Sequence, residues 1–312
     1  MLRGGSARSA AFHLLRRTMT QEQRNRLKRQ VALTRERLAP VYVLRYGRFD
    51  PPELRAELER RLPADFEILM VHCSLNDLRP MYGGGPLELL ECLLDVCGPD
   101  RTLAMPAFFF GGRQGDPVEY YRAKPRFDVR RQPSEMGLLS EVFRRREGVR
   151  RSMHPTHSIC ALGPLADELT AGHHLATTTF GDGTPFGVMA ERRTAILGLG
   201  TEYFRCLTQV HTAEDLLGER FPVPLRRDSI PVSIKDSDGN RVPYALPVSA
   251  ERPSMHIEVL GELLGPEELR CWRFHGARFF VTMADRVTEV LMEAARRGTT
   301  IYDRPIAAGR AA

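Results

Sequence analysis

Residues 66–106 read FEILMVHCSLNDLRPMYGGGPLELLECLLDVCGPDRTLAMP, and this stretch decides the fold. Phe66-Glu67-Ile68-Leu69-Met70-Val71-His72 is a short apolar run ending on a polar residue, the pattern of a buried strand. A glycine triplet follows at Gly83, Gly84 and Gly85. Residues 86–97 have the apolar spacing of a helix, and Gly98 stands where a helix closes. Thr102-Leu103-Ala104-Met105-Pro106 reads as a second strand. Strand, glycine loop, helix and strand make a βαβ-like unit, which commits the chain to an α/β fold.

The same reading extends in both directions. Downstream, Ala161-Leu162 and Thr194-Ala195-Ile196-Leu197-Gly198 read as further core strands. Residues 222–260 are rich in Pro and Val and carry the Asp238-Gly239 turn, so a β-hairpin excursion is expected there. Residues 283–298 place Val287, Val290, Leu291 and Ala294 on one face of a C-terminal helix. Upstream, Asp50 is placed to N-cap a helix begun by Pro51 and Pro52, with Leu54, Leu58 and Leu62 as its apolar stripe and Pro63 as its stop. Phe12, Leu15, Met19, Leu27, Val31 and Leu38 recur at roughly helical spacing, predicting an arm helix over 12–38 that Pro40 ends. The expected architecture is a layered α/β/α sandwich with a central mixed sheet and a β-rich excursion near the C-terminal third. A basic, helical N-terminal arm over 1–50 precedes a domain over 51–312.

Charge separates these two parts. The chain has 312 residues and a formal net charge of +6, with a pI of about 9.2. Residues 1–48 hold 12 Lys and Arg against 2 Asp and Glu, a local charge of +10. The remaining 264 residues hold 33 basic and 37 acidic side chains, a charge of −4. The body therefore has no electrostatic claim on a nucleic acid, and a polyanion partner would have to be met by the arm alone. The arm reads as a solvated basic helix, with a transit-like or interfacial segment as the alternative. No run of 18 apolar residues occurs, so membrane insertion is not expected. Six cysteines without a CxxC pair argue against a zinc knuckle or a redox motif, and read mostly as small buried residues in a reducing cytoplasm.

Five segments carry the functional reading. They are VHCSL at 71–75, the Gly83–Gly85 loop with its helix, FDVRRQPSEMG at 127–137, RSMHPTHS at 151–158 with GDGTPFG at 181–187, and ILGLG…LTQVHTAED at 196–215. In this order and spacing they resemble the aminoglycoside 3-N-acetyltransferase family, enzymes that acetylate an amino group using acetyl-CoA. The resemblance covers roughly residues 52–304. It departs at Cys73, where the family usually has Ser, at Ala107, where it has Thr, and at Thr184, where it has Ser. Ala107 lacks a hydroxyl, which puts substrate contacts at that position in doubt.

The resemblance implies an acetyl-CoA-dependent transfer, with no metal, to an amine of an aminoglycoside or amino-sugar-like acceptor. It implies catalytic roles for His211, Glu214 and His72. It places the acyl donor against Cys73, Ser74, Leu75, Ser134, Met136, His154, Ser158, Phe186 and Gly187, and the acceptor against Asp215, Thr208 and Asp182. The expected partners are those two small molecules and no nucleic acid, with a homodimer as a further expectation.

The chemistry of the residues leads to the same place. An amine is an ammonium near neutral pH and must lose a proton before it attacks a thioester, which calls for a base such as His. In HTAED, Glu214 follows His211 by three residues, so on a helix the two side chains share a face. An ion-paired or helix-capping His–Glu pair without catalytic function is the alternative. Backbone amides near 72–75 are expected to steady the oxyanion. Gly83–Gly85 offers backbone N–H groups at a helix start for a phosphate, although the loop is neither a Walker loop nor GxGxxG. Ser134 reads equally as an N-cap for a helix over 135–146.

Other chemistries fit less well. His154 and His157 stand three apart, but no third ligand follows at metal spacing. Adjacent strand residues point to opposite faces, so His72 is badly placed to activate Cys73. Direct transfer in a ternary complex is therefore expected over an acetyl-cysteine. A biosynthetic acyltransferase of the same fold is one alternative, and a hydrolase built on Cys73, Ser74 or Ser158 another, though no G-x-S-x-G elbow occurs.

Overall fold

A computed structural model describes residues 21–112, 115–224, 227–249 and 255–302. The chain divides into two compact units at Gly47/Arg48. In the first, a single helix, Gln21–Tyr46, runs through Pro40 rather than ending there. Proline removes one backbone donor but holds φ in the helical range, so a long helix continues past it. Gly47, at φ 73°, ends the helix instead, and its N–H bonds the Val43 carbonyl at 2.9 Å. Phe12, Leu15 and Met19 lie outside the described residues.

The second unit is built on a seven-stranded mixed sheet. Its strands are β1 (Ile68–Cys73), β2 (Thr102–Pro106), β4 (Arg150–Arg151), β5 (Ile159–Leu162), β6 (Thr194–Leu199), β9 (Leu269–Phe274) and β10 (Ala277–Met283). Their order is β4-β5-β2-β1-β6-β10-β9. β1 pairs in parallel with β2 and with β6, while the outer strands are antiparallel. The strand order thus reverses at β1, and ligand clefts in such sheets open at the carboxyl ends beside the reversal. His72 sits at that end.

Strand alternation sorts the core into two layers. Leu69, Val71, Leu103, Leu197 and Val281 face one layer, with the helices Pro51–Arg61, Pro86–Cys97 and Leu138–Arg144. Ile68, Met70, Ala104, Ile196 and Phe280 face the other, with Ala166–Ala171, Pro185–Glu191, Thr212–Leu217 and Ala284–Arg296. A separate three-stranded sheet joins β3 (Arg126–Asp128) to the hairpin β7 (Arg227–Lys235) and β8 (Arg241–Ser249), and has its own apolar cluster. The sandwich and the β-rich excursion are those the sequence predicts.

Local predictions around the βαβ unit hold where chain chemistry fixes them. Asp50 accepts from the Glu53 N–H at 2.9 Å, and Glu53 accepts in return from the Asp50 N–H at 3.0 Å. This is a capping box with Pro51 in the first turn. The glycine triplet differs from its expected role. The Gly83 N–H is spent on the Phe49 carbonyl at 2.9 Å, and the Gly85 N–H on the Glu88 carboxylate at 2.7 Å. An acidic side chain already caps this helix start, so the loop is not an open anion cradle.

Candidate active site

Segments around 72–75, 133–137, 151–158 with 180–187, and 208–215 gather near the carboxyl ends of β1, β2 and β6. β1 delivers His72 on the same face as Ile68 and Met70, and sends Cys73 towards the opposite layer. Burial pulls His72 down to about 4, so it is neutral at physiological pH. Burial, with the charge of Asp77, pushes the Cys73 thiol up to about 12, far from the thiolate a nucleophile needs. The Ser74 N–H bonds the Leu199 carbonyl at 2.8 Å, and its hydroxyl donates to Asp77. The amide of Ser74 is thus taken by the sheet edge, which corrects its expected part in an oxyanion hole. Leu75, with its side chain buried, opens the short helix Leu75–Leu78.

The loop 133–137 lies across this strand end. The Glu135 N–H bonds the Phe108 carbonyl at 2.8 Å, and the Glu135 carboxylate accepts from the Phe110 N–H at 2.5 Å. A Cβ on Gly137 would stand 3.9 Å from the Cys73 carbonyl. Ser134 accepts from the Met136 N–H at 3.2 Å, and its own N–H donates to Glu141 at 2.8 Å. The helix begins later than predicted, at Leu138, because Gly137 at φ 100° interrupts the turn. Burial pushes the Glu141 carboxyl up, but hydrogen bonds from Arg144 and the Ser134 amide outweigh it and hold the group at about 2. Met136 packs against the second core layer.

Segment 151–158 forms the floor. The Ser158 hydroxyl, fully buried, donates to the Ala107 carbonyl at 2.9 Å and accepts from Arg151 Nε at 2.9 Å. Its expected contact with the acyl donor gives way to a structural one, since both partners are protein groups. His154 is also fully buried. Its Nδ1 accepts from the His157 N–H at 3.0 Å, and its ring stacks on His173 with centroids 4.4 Å apart. Phe186 and Gly187 are buried in the helix Pro185–Glu191, below the site surface. Thr184 caps that helix, accepting from the Gly187 N–H at 3.2 Å.

The segment 208–217 supplies a buried imidazole–carboxylate pair. Thr208–His211 is a 3-10 turn running into the helix Thr212–Leu217. His211 Nδ1 lies 2.7 Å from Glu214 Oε1, both side chains buried. A carboxylate only accepts, so Nδ1 carries a proton and points at Glu214, and Nε2 is the ring nitrogen on the opposite side. Phe180 lies over the imidazole with centroids 5.1 Å apart. Asp215 holds Phe180 there, accepting from its N–H at 2.8 Å. This packing needs Gly181, where a Cβ would come within 3.2 Å of Asp215 Cβ. Asp182 follows on the same loop and is exposed, while Thr208 is half-buried and donates to the Cys206 carbonyl at 3.3 Å.

An aromatic row ties the segments together. Phe180 packs on His157 at 5.0 Å, and His157 on Phe108 at 5.1 Å and Phe110 at 5.4 Å. Phe108, Phe180 and His173 are site residues that sequence reasoning missed. Phe180 had one local signal, an aromatic directly before the glycine loop. Among the described residues, no group of three metal-ligating side chains occurs, and no helix is long and apolar enough to cross a membrane.

The buried histidines set a pH limit on the fold. Burial pulls His173 down to about 3, against the Thr179 carbonyl that favours its proton. Burial, followed by the nearby His173 and His157, holds His154 well below the usual histidine value. Together with His72 these rings stay neutral when folded and take up protons near pH 6.5 when unfolded. Stability is therefore complete above pH 6.5 and is lost as pH falls towards 4 and below, each group contributing a slope of up to about 1.4 kcal/mol per pH unit. Glu141 adds a loss that begins below pH 4.5, its ordinary value. The urea midpoint is expected to fall continuously from pH 6.5 to 4.5; a flat midpoint over that range contradicts burial of neutral rings.

A mixed sheet between two helical layers, with a buried imidazole–carboxylate pair beside it, defines a layered α/β protein. Comparison with known proteins places it more narrowly. Residues 70–295 match the family model of the aminoglycoside 3-N-acetyltransferases, and the chain belongs to that family. It is 30% identical over 159 residues to aminoglycoside N(3)-acetyltransferase IV from Salmonella sp, a match covering 50% of this chain and 55% of that one. Against aminoglycoside N(3)-acetyltransferase III from Pseudomonas aeruginosa it is 30% identical over 189 residues, covering 55% and 69%. The matches thus span between about half and two-thirds of these relatives' lengths. Among solved structures, aminoglycoside acetyltransferase AAC(3)-Xa superposes with a TM-score of 0.68 at 24% identity, covering 84% of this chain and 99% of that one. A binary complex of AAC-IIIb with CoASH superposes at 0.65 and 23% identity, covering 82% and 98%. These likenesses establish the fold.

Proposed function

We propose that this protein transfers the acetyl group of acetyl-CoA to an amine of an aminoglycoside or amino-sugar-like acceptor, directly within a ternary complex. The observation that carries the reading is the His211–Glu214 pair, whose geometry leaves the outer imidazole nitrogen as a base. His211 Nε2 takes the proton as the amine nitrogen attacks the thioester carbonyl. The tetrahedral intermediate then collapses, the C–S bond breaks, and the imidazolium passes its proton to the leaving sulfur, so CoA leaves as the thiol. Glu214 stabilises the imidazolium formed in between. Neutral His72 at the sheet edge donates or accepts a hydrogen bond beside the thioester without bringing a charge. Ser74, Leu75, Ser134 and Met136 are assigned to the acyl-donor side, and Asp182 and Thr208 to the acceptor side, as the family resemblance implies.

Membership of the aminoglycoside 3-N-acetyltransferase family and a similar fold seen with CoASH support the donor. The raised Cys73 thiol favours direct transfer over an acetyl-enzyme. The test is to mix protein, acetyl-CoA and a panel of aminoglycosides and amino sugars, and to follow thiol release and acetylated product. Amine-dependent release is expected. Steady hydrolysis of acetyl-CoA without any amine requirement overturns the transferase reading.

A further inference from the structure

Tyr302 lies 88 residues beyond Glu214 in the chain and beyond residue 295, where the family match ends. Its hydroxyl nevertheless donates to Glu214 Oε1 at 2.6 Å. This is the same oxygen that accepts from His211 Nδ1 at 2.7 Å. Tyr302 is 1% exposed. The segment around it is pinned down: the His256 N–H bonds the Ile301 carbonyl at 2.5 Å, Tyr302 bridges to Met255, and its ring meets Phe221 edge-on at 6.1 Å.

We propose that Tyr302 is a positioning residue of the acid–base pair, acting on His211 through Glu214; this rests on the functional reading above. Two donors converging on one carboxylate oxygen leave Glu214 little freedom to turn. A carboxylate held in this way keeps the His211 N–H aimed inward and the opposite nitrogen aimed at the cleft. Buried hydrogen bonds to an ionised group are short and strong, so the hydroxyl is a stiff restraint. Without it, the imidazole is the one donor to Glu214 Oε1 left among the described residues, so the side chain can rotate and the imidazole samples its other tautomer. The lost quantity is the fraction of enzyme with a correctly aimed base, which enters kcat rather than substrate binding.

Tyr302→Phe removes only the oxygen and keeps the ring against Phe221. It is expected to lower kcat about tenfold, the scale of a misdirected general base, with both KM values nearly unchanged. In a Glu214→Ala background the same substitution is expected to have almost no further effect, because the group through which Tyr302 acts is gone. Nitrogen-15 NMR of the histidine rings supplies a readout independent of turnover. The wild-type His211 ring is expected to show one tautomer, protonated at Nδ1, and Tyr302→Phe to shift it towards averaging of the two. An unchanged His211 pattern overturns the proposal, as does a kcat at the wild-type level or a loss of equal size in both backgrounds. If the wild-type protein acetylates no amine, the functional reading fails, and the NMR comparison alone still decides the role of Tyr302.

Discussion

His211→Gln lowers kcat for amine acetylation by about 100- to 10,000-fold, with the KM for acetyl-CoA little changed. The size is that of removing a general base from a step that needs one. Glutamine keeps the volume and a polar end, so the buried 208–217 segment retains its packing around Leu207, Val210 and Ala213. What it loses is a nitrogen lone pair that can hold a proton. Glu214→Gln is expected to cost less, because a neutral amide still orients the ring but no longer stabilises the imidazolium. Steady-state thiol release across amine concentrations separates the two parameters. A His211→Gln enzyme with wild-type kcat removes the imidazole from the mechanism and leaves Glu214 and His72 as the remaining candidates.

The largest effect on stability is expected at a residue that takes no part in the chemistry. Arg151 donates to the Ser158 hydroxyl at 2.9 Å, to the Val129 and Gln132 carbonyls at 3.1 and 2.5 Å, and to the Ala107 carbonyl at 2.8 Å. Its guanidinium also lies over Phe127, 5.1 Å from the ring centre. One side chain thus joins the end of β2, the loop before Ser134 and the floor of the site. Burial draws the guanidinium down to about 10, still charged at neutral pH. Arg151→Met keeps the apolar length and removes the charged donor from four acceptors, although the Ala107 carbonyl keeps its bond from the Ser158 hydroxyl. The expected loss is roughly 3–4 kcal/mol, since bonds from a charged donor count more and orphaned buried carbonyls cost extra. The urea midpoint at pH 7 should fall by about 1 M or more. Arg151→Lys should recover only part of this, because an ammonium cannot reach all four acceptors from one point. A midpoint within the error of wild type for Arg151→Met contradicts the linking role.

These two residues differ in how far the sequence exposed them. His211 and Glu214 are three apart, and a single turn of helix brings them together whatever surrounds it. Spacing alone therefore found the pair. Arg151 binds carbonyls at 107, 129 and 132, and backbone carbonyls leave no mark on a sequence. The family resemblance places Ser158 against the acyl donor; its partners, Ala107 and Arg151, are fixed by how β5 docks on β2. The glycine triplet misled in a similar way. Its flexibility was legible, but not that Phe49 and Glu88 consume its N–H groups.

The sequence by itself determined what depends on neighbours along the chain. This includes the βαβ unit, the capping box at Asp50, the opposite facing of His72 and Cys73, the hairpin after residue 222, and the pairing of His211 with Glu214. It also separated a basic arm from a mildly acidic body, because charge is simply counted. Tertiary structure alone decided which face of the sheet gathers the chemistry, that Phe180 roofs the imidazole from a loop held by Asp215, and that Tyr302 closes on Glu214 from 88 residues away. The physical reason is range. Helical and strand periodicity report on contacts a few residues apart, whereas a hydrogen bond between distant segments depends on the packing of every element between them.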